Sequence, residues 1–385
     1  MQIELSLISG GVLVQIPARE HFSNLQLTEV SAGAWRGTLV LTDPSDTLEP
    51  LLVAAGADRN IRVRFNWEDQ QLAEAPTVDA YVIQYTPEFT PQSTTFTAEL
   101  TGRSAVEASL NKRVRAFTAG TSIAAIVQEL ADDRGWKEPL IEPTVATTNE
   151  PFSTSGESDL EFVRKQLAPL ARNAEGEGGY QVYVDVRDRF HFHTPRYQRS
   201  SEPVRSYVFT RDSAGEVISF RPTDNSVIAS LLGAGNSIFR SFDSRGGSPI
   251  QVTADNNTLE GQTSRLYPDS TAVPNLGTTI NYVDLPARDR AELEAQAQAR
   301  IDDLRRAYFS AEMEVVGTHA VRVFDFIEVT WVTRRDRPHF LSGTFQVTDV
   351  THDVGSNSWT TRFALSRAGV RAGVPGTVPL PGSSS

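Results

Sequence analysis

The side chains able to do chemistry are few, and their spacing is uninformative. Six histidines are present, His21, His191, His193, His319, His339 and His352. Only His191 and His193 have ligand-like spacing, because alternate residues of a strand point the same way. We assign them no companion carboxylate or third histidine nearby in the sequence. The pair therefore reads as the exposed face of a hairpin. Carboxylates cluster at Asp132-Asp133, at Glu157, Asp159 and Glu161, and at Asp302-Asp303. Each cluster falls on a predicted helix end or exposed helix face. Glycosidase-type acid and base work needs two carboxyls held in one cleft, and nothing in these spacings requires that. Gly233-Ala234-Gly235-Asn236 lacks the lysine and the following helix of a phosphate loop, so it reads as a turn. No Gly-x-Ser-x-Gly elbow is present. The absence of cysteine excludes disulfides, thiolate metal sites and thiol nucleophiles, and suits folding in a reducing cytosol. We assign no catalytic, cofactor-binding or metal residue. The sequence points to a structural or assembly role.

The elements that would position any site are mostly strands. The 385 residues suffice for two or three domains, and 39% hydrophobic with 22% charged residues describe a globular chain. No apolar run is long enough to cross a bilayer. The start, Met1 to Ser6, alternates apolar with polar residues and reads as a strand, not a signal peptide. A formal charge of −12 argues against a dedicated nucleic-acid binder.

In chain order, residues 1–112 read as β. Ile3, Leu5 and Leu7 alternate, as do Val12, Val14 and Ile16 after Gly10-Gly11. Ile61, Val63, Phe65 and Trp67 share one face, with Arg62, Arg64 and Asn66 on the other. Asp43-Pro44-Ser45-Asp46 is turn chemistry. Residues 113–203 read as α+β. Thr121 is expected to cap a helix with Ile123, Ile126, Val127 and Leu130 on one stripe, ending at Gly135. Ser158-Asp159-Leu160-Glu161 is a capping box, and Pro169 should end or kink the helix it opens. Strands around Asp188-Arg189 should form a hairpin over the two helices. Strands are then expected over Tyr207 to Phe209, Val217 to Phe220 and Val227 to Leu232. Phe242 to Gly277, rich in Ser, Gly, Asn, Asp and Pro, reads as loops or as a module ordered by partners. A long helix follows with Leu293, Ala297, Ile301, Leu304 and Tyr308 on one stripe. Strands then cover Met313 to Val316, Val321 to Trp331, Phe340 to Val350 and Trp359 to Leu365. Residues 371–385 read as a flexible low-complexity tail.

Four stretches together carry a resemblance. They are Phe117-Thr118-Ala119-Gly120-Thr121-Ser122-Ile123 with Arg134-Gly135-Trp136, Ser155 to Val163, Phe190-His191-Phe192, and the closing series Glu312 to Gly317, Phe340 to His352 and Trp359-Thr360-Thr361. In this order they resemble the baseplate hub proteins of phage tails, the late control D or tail-hub family. That module also forms the N-terminal part of type VI secretion spike proteins. The sequence departs from the family pattern at Pro169 and at Gly317-Thr318-His319, which stands where a Gly-x-Pro turn is expected.

The resemblance implies a mainly β fold with an α+β insertion and two tube-like β-barrel domains, forming a pseudo-sixfold ring as a trimer. The implied boundaries are 1–112 plus 204–240 for the first barrel, 113–203 for the insertion and 241–285 for the irregular module. Residues 286–370 would be the helix and second barrel. The implied partners are two further copies of the chain, a tail tube or tube-initiator protein, a separate central spike protein and peripheral baseplate proteins, with a tape measure protein also considered. DNA would be met only in transit through the lumen. No cofactor, enzyme activity or membrane anchor is implied. The place would be the virion tail baseplate, assembled in the host cytoplasm. A rival reading is a tail-associated cell-wall-degrading or glycan-binding protein, which would need a carboxylate pair in a cleft.

Overall fold

The computed structural model describes residues 1–9, 12–55, 60–67, 70–110, 114–145, 152–154, 156–195, 197–198, 202–210, 215–225, 236–242, 248–255, 258–259, 281–285, 287, 289–306, 309–332, 339 and 341–367. The fold is mainly β. The opening strands are β1 (Gln2–Ser9), β2 (Val12–Ile16), β3 (Phe22–Val30), β4 (Gly33–Ala34), β5 (Arg36–Asp43), β6 (Asn60–Asn66), β7 (Val78–Phe89) and β8 (Thr94–Gly102). Short helices α1 (Ala18–His21), α2 (Leu48–Ala55) and α3 (Arg103–Leu110) interrupt or follow them. The period-2 pattern explains the burial. Ile61, Val63 and Phe65 lie in the core. On the opposite face of β6, Arg62 donates to Asp79 at 2.6 and 3.0 Å, and Arg64 donates to Thr77 at 2.7 Å. The Asp43 turn forms as expected, with its carboxylate accepting from the backbone N–H of Ser45, Thr47 and Leu48 at the start of α2.

The insertion contains β9 (Ala116–Phe117), α4 (Ile123–Arg134), β10 (Lys137–Ile141), β11 (Phe152–Ser153), α5 (Asp159–Phe162), β12 (Gln181–Val184) and β13 (Arg189–His193). The apolar stripe of α4 is buried as its spacing dictates, and Gly135 ends the helix at φ 62°. The cap is Ser122 and not Thr121: the Ser122 hydroxyl accepts from the Ala125 N–H at 3.2 Å. The Ser158–Glu161 capping box is present at α5. After α5 the chain widens into a π turn (Val163–Leu167) and tightens into a 3-10 turn (Ala168–Leu170). Pro169 sits in that last turn, where its missing N–H costs little.

The closing segment contains β14 (Arg205–Thr210), β15 (Val217–Asp224), β16 (Asn236–Phe242), β17 (Pro249–Asp255), β18 (Thr258–Leu259), β19 (Asn281–Asp284), α6 (Arg290–Arg306), β20 (Phe309–Val316), β21 (Phe326–Val332), β22 (Gly343–Gly355) and β23 (Trp359–Arg367). The expected strand from Val321 begins only at Phe326. Residues 322–325 instead form a turn closed by Arg322 N–H on the Asp325 carboxylate at 2.7 Å, with Phe324 at φ 69°.

A single sheet of thirteen strands unites the opening and closing segments, in the order β15-β20-β23-β22-β3-β5-β8-β7-β6-β1-β2, with β14 and β21 branching from β22. The long β22 makes the connection. Its last seven residues, Asp349–Gly355, pair with β3, while Gly343–Gln346 pair with β21. Among the described residues no sheet closes on itself. Two separate apolar cores nevertheless lie against this sheet. The first joins Leu5, Leu25, Leu39, Val63 and Phe65 to the insertion's Ile126, Phe162, Phe190 and Phe192. The second joins Tyr207, Phe220, Met313, Ile327, Phe345 and Phe363.

The pairing of β14 and β15 differs from the expected grouping of 204–240 with 1–112. β14 runs parallel to β21 and β15 antiparallel to β20, so Tyr207, Val217 and Phe220 belong to the second core. The stretch expected to be irregular also contains structure. β17 and β18 join β16 and β19 in a four-stranded sheet. Phe239 and Val252 of that sheet pack with Leu293, Ala297 and Ile301 of α6, which confirms those three positions of the helix stripe. Tyr308, residues 226–235 (with most of the Val227 to Leu232 strand and Gly233 to Gly235), 260–280 and the 371–385 tail lie outside the described residues.

Candidate functional site

Strand β13 decides the first chemical candidate. His191 and His193 are buried, at 2% and 0% exposure, which corrects their reading as a surface face. The β12–β13 hairpin lies between the two cores. Phe190 and Phe192 face the first core, while Tyr183 belongs to the second. Both faces of β13 are therefore covered, and alternation alone could not reveal that. The histidines are held by local partners. The His191 ring stacks on Tyr183 at 4.3 Å, and its Nε2 lies 3.0 Å from the Asp185 carboxylate. His193 contacts the Tyr183 hydroxyl at 3.2 Å and the Thr194 carbonyl at 2.6 Å. Among the described residues no group of three His, Cys, Asp or Glu side chains is placed to hold a metal ion.

Asp185 organises the hairpin turn. It accepts from the backbone N–H of Arg187 and Arg189, each at 2.9 Å, and from the Arg189 guanidinium at 2.7 and 2.8 Å. Burial alone would raise its pKa. The His191 hydrogen bond and the charges of His191 and Arg189 outweigh that and hold it well below the usual carboxylate range. Asp188, at φ 61° in the same turn, accepts from the Ser104 N–H at 2.9 Å and so caps α3 from across the insertion.

The carboxylate clusters are dispersed. Asp159 stands at a helix end as expected, but it is buried there and paired with Arg134 at 2.7 Å. Glu161 closes the capping box and meets Lys165 at 3.0 Å, and Asp133 pairs with Arg115 at 2.6 Å. These acids anchor helices. The side chains of Asp302 and Asp303 lie outside the described residues.

A further cluster, not picked out in the sequence, joins the two halves of the molecule. Here Trp67 Nε1 donates to the Gly317 carbonyl at 3.0 Å, and His319 Nε2 donates to the Phe65 carbonyl at 3.1 Å. Phe65 meets Trp359 edge-on at 5.1 Å, and Trp67 lies 5.6 Å from the same ring. Gly317 has no room for a side chain, because a Cβ would overlap the Trp359 indole. His352 is buried beside them, with its Nδ1 3.4 Å from Trp359 Nε1 and 3.1 Å from the Thr361 hydroxyl. Burial, followed by the neighbouring His319, pushes the His352 pKa down to about 3. Burial also lowers that of His319. The sequence signal was the Gly317-Thr318-His319 departure from the expected turn.

The surface supplies a different kind of feature. On β2, the last strand of the sheet, Val12, Leu13 and Val14 are exposed. Among the described residues, the pairing of β7 with β6 ends at Tyr81, while its pairing with β8 continues to Phe89. Ile83, Tyr85 and Phe89 of that projecting ribbon are exposed, and Phe89 is 68% accessible. Unpaired, apolar strand edges are where other chains add to a sheet.

These features accompany a known fold. The chain superposes on the tail protein of Neisseria meningitidis MC58 with a TM-score of 0.66, covering 96% of this chain and 98% of that one at 10% identity. The fold is that of phage tail proteins. The 43 kDa tail protein of prophage MuSo2 from Shewanella oneidensis matches at TM-score 0.60 and 13% identity, over 95% and 99% of the two chains. An E. coli component of the type VI secretion system, described as structurally similar to the T4 bacteriophage tail proteins gp27 and gp5, matches at TM-score 0.54 and 10% identity, over 97% and 80%. The resemblance read from the sequence thus holds at the level of fold. No family model matches the sequence, and no curated protein matches it.

Proposed function

We propose that the chain is the structural baseplate hub of a phage-like tail. Three copies form a ring that adapts a hexameric tail tube to a trimeric central spike, and DNA passes through its lumen. The observation that carries this reading is the near end-to-end match to a tail protein, 96% of one chain on 98% of the other. The two cores against one sheet support two tube-like bodies per chain, which repeat as six in a trimer. Strands β1 to β8 belong to one body, and β14, β15 and β20 to β23 to the other. The insertion, 113–203, and the α6 module serve peripheral baseplate contacts. The exposed edges of β2 and β7 serve contacts between copies, because a closed ring covers the same edge on every subunit. A chain of net charge −12 suits a channel through which DNA slides without sticking. The role is structural, in the virion tail, after assembly in the host cytoplasm.

Light scattering on the purified protein, alone and with tube and spike proteins, tests the proposal. A particle of three chains that captures both neighbours is expected. A single chain per particle at high concentration, or clearing of cell-wall substrate by the protein alone, would overturn it.

A further inference from the structure

Besides the packing of Phe324 on the β12–β13 hairpin, the two halves of the molecule are held together in two chemically different ways. The first is the backbone ladder of seven residue pairs between β3 and β22. The other is the aromatic cluster of Phe65, Trp67, Gly317, His319, His352 and Trp359. From this geometry we propose that the aromatic cluster is an acid-released latch: protonation of its histidines frees Phe65 and Trp67 from the Gly317–His319 turn, and the β3–β22 ladder remains as the hinge.

The closed cluster needs neutral rings. His319 Nε2 lies on the Phe65 carbonyl, so that nitrogen carries the proton. His352 Nδ1 faces the Trp359 Nε1–H, which only donates, so this nitrogen is the acceptor and the ring is neutral. A proton added to His352 Nδ1 removes the acceptor from the indole that packs on Phe65 and Trp67. The second consequence is electrostatic. His319 and His352 lie 5.4 Å apart, and both line a cavity of about 30 Å³. Arg187 comes to that cavity from the β12–β13 turn and Arg322 from the turn before β21. Glu29 on β3 and Asp185 are its acids. Asp185 is committed to Arg189 and His191, and Glu29 accepts from the Val186 N–H at 3.3 Å. On its other side, the His319 turn borders a cleft of about 460 Å³ that also carries Glu74, Arg205 and Glu216, the last two paired at 2.8 Å. From β6 and β23 the groups that meet the histidines are Phe65, Trp359 and Thr361, all uncharged. New positive charge therefore enters beside two arginines, on rings already buried away from water.

The sign follows from linkage. Both histidines have lowered pKa values in the closed state, so the open state binds the proton more tightly. The latch is fully closed above about pH 6.5 and weakens as pH falls below it.

Hydrogen exchange on the full-length protein between pH 7.5 and 5 tests this. The Trp67 indole N–H, which donates to the Gly317 carbonyl at 3.0 Å, reports the latch. After correction for intrinsic rates, its protection should fall about tenfold per pH unit below 6.5 for each histidine that takes up a proton. Amides of β5 and β8 should hold their protection. In a His319→Gln, His352→Gln double variant the pH dependence should vanish. The same slope in the double variant would overturn the proposal, as would uniform loss of protection across all strands. Should the variant not fold, NMR titration of the wild-type rings decides. His352 protonating near pH 6.5 without change at the Trp67 indole overturns the latch. His352 staying neutral until the Trp67 indole N–H loses protection supports it.

Discussion

The first and second cores are joined in opposite ways, and the contrast shows what an insertion demands of its host. The first core must bind the opening strands to the insertion. It does so through buried polar joints, Asp188 on the start of α3 and Glu29 on the Val186 N–H, while Asp159 on Arg134 and Asp185 on its own turn brace the insertion from within. The second core closes over Phe363, Met313, Ile327 and Val329, each 0% exposed, with hydrocarbon doing most of the joining. Its buried guanidinium, Arg367, donates to the Ser342 carbonyl at 2.9 Å and lies over the Phe345 ring. Burial takes that group's pKa down to about 10. Directional bonds fix the angle at which a separate module meets its host. Apolar contact suffices where strands of one sheet fold onto themselves.

Mutations can break that contrast. The largest effects should be equal in size and different in kind. Phe363→Ala should cost the second core about 3–5 kcal/mol in denaturant unfolding, through lost burial and the cavity left behind. Arg134→Ala should cost about 3–5 kcal/mol as well, because Asp159 is left buried without its partner. Replacing both partners with hydrocarbon, Arg134→Met with Asp159→Leu, should recover most of that loss. If the double replacement is as damaging as the single one, the joint is a matter of packing and the contrast fails.

How much of this was readable beforehand depends on the range of the interaction. The β6 alternation, the α4 stripe and the Ser158–Glu161 box are local, set by neighbours within a few residues, and the sequence displays them directly. The cap at Ser122 was missed by one position because Thr121 has the same chemistry. The partners of β14 and β15 were illegible. Phe209 pairs with Trp331 across 122 positions, and no periodicity encodes such a choice. The burial of His191 and His193 was hidden for a related reason. A strand covered on both faces reads the same as one covered on a single face when its second cover, Phe324, comes from elsewhere. No functional site was readable from residue spacing, and the Gly317–His319 turn was visible only as a departure from an expected pattern.

Smaller changes sharpen the comparison. Gly317→Ala should cost about 1–3 kcal/mol by forcing Trp359 aside, and loss of near-ultraviolet circular dichroism from the tryptophans would report it. Ser122→Ala should cost about 1 kcal/mol, seen as a lower thermal midpoint with the sheet unaffected. The smallest effect near neutrality belongs to Asp185. Its folded pKa lies below the ordinary 3.8, so its contribution is present above that value and is lost as pH falls below it. The β12–β13 hairpin should therefore gain hydrogen exchange only below about pH 4, well after the histidine cluster has responded. An Asp185→Asn variant should lose that late step and keep the earlier one.

Strand β22 belongs to both halves of the sheet, and this gives it a mechanical role. Much of the tension between the two halves falls on the seven residue pairs it shares with β3. Pulled along the strands, those pairs bear the load together. Pulled sideways, they unzip in sequence from an end. The direction in which neighbouring subunits tug on this chain therefore decides whether it transmits a force or yields to it.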